Sequence, residues 1–175
     1  MADRDRIISI DAECNGLGGQ AFAVAMTLSD RTGDLEQVVY RCPIVEPVND
    51  WVKANVLPAI DDVEENCASY AGMLHNLREA YFPWAEDSDA ITIGHVVWPV
   101  EARLLLDMYP GEDIWHGPYP LIDVASVLLA KGHNPLSVDD YLREHSVPAP
   151  EGSPHHPLYD VRAAERCFRH LMEGR

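Results

Sequence analysis

Lysine is almost missing from this chain: Lys53 and Lys131 are the only two in 175 residues. Thirteen basic residues face 29 acidic ones, for a net charge of −16 at pH 7. That balance argues against a protein that grips long duplexes through a broad basic surface. It leaves room for short or single-stranded nucleic acid, which needs few phosphate contacts. No apolar run is long enough to span a bilayer. The start, Met1-Ala2-Asp3-Arg4-Asp5-Arg6, has no apolar leader core. The cysteines, Cys14, Cys42, Cys67 and Cys167, form no C-x-x-C pair. They suggest neither a zinc site nor a disulfide framework, and a reduced, cytoplasmic setting is expected. There is no internal repeat, low-complexity stretch or interdomain linker. With 47% hydrophobic residues, residues 1–175 read as a single folded domain rather than a disordered chain.

What is present begins at the N-terminus. Arg6-Ile7-Ile8-Ser9-Ile10 is short, β-branched and mostly apolar, the pattern of a buried strand. Asp11-Ala12-Glu13 closes it. Side chains alternate along a strand, so the two carboxylates point to one side at its end. They repel each other unless a cation holds them, and a pair of divalent metal ions is the usual solution. Far downstream, Pro154-His155-His156-Pro157-Leu158-Tyr159-Asp160 leads into a helix. A histidine five residues before an acid suits metal-assisted hydrolysis: a base for water and a carboxylate for the metal.

Between these ends the pattern is α/β. Residues 20–28 and 35–41 read as strands joined by a turn at Arg31-Thr32-Gly33-Asp34. Residues 49–57 and 61–80 have helical spacing, with Asp61-Asp62-Val63-Glu64-Glu65 as the N-terminus of the longer helix and Pro83 ending it. A strand follows at 90–94, with Asp87 and Asp89 before it, and then a helix at 99–108. Another short strand at 120–122 precedes a helix at 123–131 that Asp123 is expected to cap. Helix 137–145, a Pro/Gly/Ser-rich loop and a final helix from Pro157 complete the chain. Val161, Ala164, Phe168, Leu171 and Met172 give that last helix an apolar face. Cys14 reads as a small core residue. Trp98 suits either a core position or stacking on a base.

In this order the motifs resemble those of the DEDDh 3′–5′ exonucleases. Asp11-Ala12-Glu13-Cys14-Asn15-Gly16-Leu17 is similar to their first motif, D-x-E-T-T-G-L, and His155 to Asp160 to their third, H-x4-D. Ile91-Thr92-Ile93-Gly94-His95 and Val100-Glu101-Ala102-Arg103-Leu104-Leu105 are similar to the strand and helix of the second. Leu136 to Leu142 is similar to the helix before the third. One departure stands out. The family pattern places an Asp five residues after such a histidine; here that residue is Val100, and the acid is Glu101 one position later. A longer acid on a helix start shifted by one residue either reaches a metal, directly or through water, or leaves a weakened site.

The resemblance implies an RNase H-like α/β fold: a mixed five-stranded sheet, three antiparallel strands first, flanked by helices. It implies two Mg2+ or Mn2+ ions held by Asp11, Glu13, Glu101 and Asp160, with His155 as general base. His156 is the rival base, but the spacing of the motif selects His155, and Pro157 is expected to turn His156 outward. Cys14, Asn15, Gly16 and Leu17 would meet the terminal nucleotide, Cys14 through its backbone and Leu17 by packing on the bases. The implied reaction removes nucleoside 5′-monophosphates from the 3′ end of single-stranded or short RNA or DNA. Homodimerisation is left open, and no membrane partner is expected. The rival readings are a catalytically weak member that only binds nucleic acid or protein, and a phosphodiesterase acting on dinucleotides.

Overall fold

The computed structural model describes residues 6–87, 90–109 and 119–173. Residues 1–5 and Asp89, both named above, lie outside them. Five strands form one sheet: β1 (Ile7–Cys14), β2 (Ala21–Asp30), β3 (Gly33–Arg41), β4 (Ile91–Gly94) and β5 (Leu121–Asp123). Their order is β3-β2-β1-β4-β5. The β1/β2 and β2/β3 pairs are antiparallel, whereas β1/β4 and β4/β5 are parallel. This is the expected mixed RNase H-like sheet. The helices are α1 (Asp50–Asn55), α2 (Tyr70–Asp87), α3 (Val100–Asp107), α4 (Val124–Ala130), α5 (Val138–Glu144) and α6 (Pro157–Glu173). None of these helices is long and apolar enough to cross a membrane.

Strand alternation divides the molecule. Ile8, Ile10 and Ala12 enter the core shared with α1, α2 and α3. Ile7 enters the other core, with α4, α5 and α6. Ser9, Asp11 and Glu13 share the face of Ile7 by period two. Ser9 Oγ donates to the Val161 carbonyl of α6 at 2.8 Å, which places that face against α6. On β2, Ala25 lies opposite Asp11 and Ala23 opposite Glu13. Both alanines are wholly buried, and their small side chains leave space beside the two acids.

Several boundaries differ from the sequence reading. β1 does not stop before Asp11; it runs through Cys14, so both carboxylates stand within a central strand. Pairing with β2 continues to Cys14, with a register shift between Glu13 and Cys14. The helix expected at 61–80 begins only at Tyr70. Asp61–Glu65 is not helical, because the neighbouring chain is drawn onto the edge of β3. Asn66 Oδ1 accepts from Arg41 N–H at 3.0 Å, its Nδ2 donates to the Val39 carbonyl at 2.9 Å, and Cys67 N–H donates to the Arg41 carbonyl at 2.9 Å. The Arg41 guanidinium fastens the turn by donating to the Ile60 and Val63 carbonyls. Ser69 is the start signal: its Oγ accepts from Gly72 N–H at 3.2 Å. Pro83 does not end α2. Its ring is exposed, while Tyr81 and Trp84 on either side are buried and hold the helix to the core.

Candidate active site

Four acids reach one end of the sheet from three elements. Asp11 and Glu13 come from β1, Glu101 from the first turn of α3 and Asp160 from the first turn of α6. A cavity of about 340 Å3 opens there, lined by Asp11, Glu13, His95, Asp139, His155 and Asp160 among others. Glu13, His155 and Asp160 each offer one ligand-type atom, all within 4.8 Å of one another. Among the described residues this is the one group of three metal-ligand side chains so placed. Glu101 is 4% exposed, and its Oε1 accepts from the Ala12 N–H at 3.2 Å. That bond ties α3 to β1 between the two first-motif carboxylates.

The charges are held at a cost. Burial, then Asp160, Glu101 and Glu13, raises the Asp11 carboxyl well above its ordinary range. Burial first, with Asp160 and Glu101, pushes Glu13 from 4.5 to about 8. Burial likewise pushes Glu101 to about 7, opposed by the Ala12 amide and reinforced by Asp123. Asp160 rises to about 7 through burial, opposed by the His155 amide and reinforced by Asp139 and Glu101. Asp11 Oδ2 is closed to solvent and has no hydrogen-bond partner. A buried carboxylate oxygen without a donor is costly. A hard divalent cation with oxygen ligands is what such a set fits.

A stability prediction follows. The folded-state pKa values lie above the ordinary carboxylate values, so the folded protein binds more protons between them. Below that window both states are protonated and nothing is lost. As pH rises from about 4.5 to about 8, the metal-free protein should lose stability. Mn2+ at about 100 times its Kd should restore about 2.7 kcal/mol, roughly 5–10 °C in Tm for a chain of this size. Melting with Mn2+ or EDTA at pH 5 and pH 8 checks this. Equal Tm values with and without Mn2+ at pH 8 would remove the metal from the account.

The start of α6 positions the histidines. Asp160 Oδ2 accepts from the His155 N–H at 2.9 Å. His155 has φ +68°, a left-handed conformation uncommon outside glycine. Its imidazole Nδ1 lies 4.0 Å from Glu13 Oε1. His156 is not turned outward as expected. Its Nδ1 accepts from the Leu158 N–H at 3.2 Å, a helix-capping bond, and its Nε2 lies 3.5 Å from Asp62. Pro157, buried at the first helical position, directs His156 into that cap.

The first-motif loop is placed as follows. Cys14 is half-buried, and burial pushes its thiol up to about 11. Asn15 uses both ends of its amide: Nδ2 donates to the Pro47 carbonyl at 3.0 Å and Oδ1 accepts from the Asn49 N–H at 2.8 Å. Gly16 has φ +79°, which a side chain would strain. A Cβ at Gly19 would fall 2.2 Å from the Asn15 carbonyl oxygen, so this turn accepts glycine only. Leu17 projects into solvent at 71% exposure. Trp98, open to two readings in sequence, is exposed rather than core. Asp123 caps α4 as expected, accepting from the Ala125 N–H, and also accepts from the Val96 N–H at 3.0 Å.

Sequence reasoning missed four neighbours. Arg103 donates to the Gly18 and Gly19 carbonyls and fixes the glycine turn. Asp139 lines the cavity and accepts from Tyr159 Oη at 2.6 Å. His95 lines it too, its Nε2 2.9 Å from the Pro135 carbonyl oxygen. Trp51 meets His155 edge to face. None carries a sequence signal beyond nearness to a motif or, for Trp51, the cap-type residue Asn49 two positions before it.

A mixed sheet of this order, with acids from β1, α3 and α6 at one end, defines the class: an RNase H-like exonuclease fold. Comparison with solved structures agrees. Exonuclease X, in complex with 5′-overhanging duplex DNA, superposes with TM-score 0.61 at 17% identity, over 96% of this chain and 92% of that one. The nuclease domain of 3′hExo, a DEDDh family member bound to rAMP, gives 0.72 at 14%, over 99% and 94%. S. pombe Pop2p in its Mg2+- and Mn2+-bound form gives 0.70 at 13%, over 98% and 84%. This chain therefore has the fold of the DEDDh-type exonucleases across nearly its whole length. No family model and no curated protein sequence matches it.

Proposed function

We propose that residues 1–175 act as a single metal-dependent 3′–5′ exonuclease domain on single-stranded or short RNA or DNA, releasing nucleoside 5′-monophosphates. The observation that carries this reading is the partnerless, solvent-closed Asp11 oxygen among three further acids. Glu101 and Asp160 each accept one backbone amide, from Ala12 and His155, whereas this Asp11 oxygen accepts none, and a divalent cation would satisfy it. Asp11, Glu13, Glu101 and Asp160 are the ligands. Two Mg2+ or Mn2+ ions there would supply Lewis-acid stabilisation of charge on the phosphate and the leaving oxygen.

The chain's own residues do the rest. His155 takes the proton from the attacking water as the oxygen–phosphorus bond forms and the bond to the 3′ oxygen breaks. Glu13, 4.0 Å from its Nδ1, stabilises the imidazolium once ionised. Asp160 fixes the backbone of His155 by accepting its N–H. Leu17, exposed beyond the glycine turn, offers an apolar surface to the terminal bases. The net charge of −16 favours substrates with few phosphates.

Glu101 tests the ligand set. Glu101→Ala should remove most activity, and Glu101→Asp should be tolerated poorly, because the shorter acid falls short of the Ala12 amide and the cation together. Full activity in Glu101→Ala would mean that another group, or only water, completes the site. The net charge of −16 also suits a dinucleotide substrate, which carries the fewest phosphates. Turnover of 3′-labelled oligonucleotides from two to twelve nucleotides separates the two readings. A fall in rate beyond two or three nucleotides favours the dinucleotide phosphodiesterase, and sustained release of 5′-monophosphates favours the exonuclease.

A further inference from the structure

The imidazole of His155 has little of its own chain to hold it. It follows the exposed segment Glu151–Pro154 and is itself 43% exposed. Its left-handed backbone is fixed through Asp160, but that bond ends at the N–H and leaves the ring free to rotate. Two side chains bracket the ring. Glu13 faces Nδ1, and Trp51 meets it edge to face, with centroids 5.2 Å apart and planes at 86°. This is a favourable aromatic geometry.

Trp51 is poorly explained by packing. It is 56% exposed, whereas the neighbouring Val52 is the residue α1 buries. Yet the backbone beneath Trp51 is firmly held. Asn49 Oδ1 accepts from the Trp51 N–H at 2.8 Å, and Asn15 grips Asn49 and Pro47 from the other side. Asn15 follows Glu13 by two residues, so one short stretch carries Glu13 and the anchor for Trp51. Both walls of the bracket are thus referenced to the end of β1. Asn15 acts here through the loop.

We propose that Trp51 is a positioning residue: its indole, fixed to β1 through Asn15 and Asn49, holds the His155 imidazole against Glu13 in the orientation that accepts the proton. This rests on the exonuclease reading and adds to it a named support for the base.

The test is a double-mutant cycle on the full chain with Mn2+ and a short 5′-labelled oligonucleotide. Trp51→Ala should lower kcat roughly 3- to 10-fold with KM changed less than twofold. Trp51→Phe, which keeps a ring edge, should recover most of the loss. In a His155→Ala background Trp51→Ala should have no further effect, because the group it positions is gone. A second readout needs neither metal nor turnover. The His155 imidazole proton resonances of the metal-free protein, assigned with His155→Ala, should lose their indole ring-current shift in Trp51→Ala and keep part of it in Trp51→Phe. Unmoved resonances overturn the proposal. So does a raised KM at constant kcat, or an equal further loss in the His155→Ala background; Trp51 would then be a substrate-binding residue. Full activity in His155→Ala alone overturns the parent reading of the base, whatever the resonances show.

Discussion

Asp11→Asn is expected to act in opposite directions on activity and stability. It should abolish hydrolysis, by about 10³-fold or more, since the Lewis-acid contribution of a bound ion is several kcal/mol and each 1.36 kcal/mol is tenfold in rate. It should also raise the Tm of the metal-free protein at pH 8. The wild-type carboxylate is disfavoured by burial and by Asp160, Glu101 and Glu13, and its Oδ2 has no partner. Asparagine has the same shape, carries no charge, and brings N–H donors to the acids around it. Relief of an unsatisfied buried group is worth about 1–3 kcal/mol, roughly 2–4 °C for each kcal/mol here. Calorimetry in EDTA and turnover in Mn2+ read the two effects. A destabilised metal-free Asp11→Asn, or one that retains activity, would show that Asp11 serves the fold rather than a cation.

His155→Ala is the second large effect. General-base assistance contributes about 10²–10⁴-fold, and kcat should fall by that order. Metal binding should persist, because the Asp160 bond uses the backbone N–H of residue 155 and not its ring. Alanine adopts φ +68° less readily than histidine, so a small fall in Tm should accompany the fall in kcat. His156→Ala should do the reverse. It removes the Leu158 cap and the approach to Asp62, costing about 1 kcal/mol of stability with little change in kcat. The measurement pairs kcat with the Mn2+-induced rise in Tm for each variant. A silent His155→Ala with a damaging His156→Ala would move the base by one residue.

Much of this was legible in the sequence because the motifs are local. Period-two alternation put Asp11 and Glu13 on one face, and they share it. The five-residue spacing from His155 to Asp160 is one helix start, closed by a hydrogen bond between the two. Misreadings came where a partner distant in sequence decided the outcome. Asp61–Glu65 has a helix-starting composition, but the chain beyond it pairs with β3 through Asn66 and Cys67. Pro83 should break a helix, but buried Tyr81 and Trp84 carry α2 past it. His156 was expected outside because only its neighbour Pro157 was visible; the Asp62 carboxylate near it lies 94 positions away. Trp51 was overlooked for the same reason: its contact with His155 exists only after folding.

The central claim is that four carboxylates around the end of β1 hold divalent ions for cleavage at a 3′ end. Short 5′-labelled RNA and DNA strands, incubated with Mg2+, Mn2+ or EDTA and resolved by length, test it most directly. A ladder that shortens one nucleotide at a time from the 3′ end is expected with Mg2+ or Mn2+, none with EDTA, and none with Asp11→Asn. Cleavage that persists in EDTA, internal cuts without a ladder, or intact strands under every metal condition would contradict it.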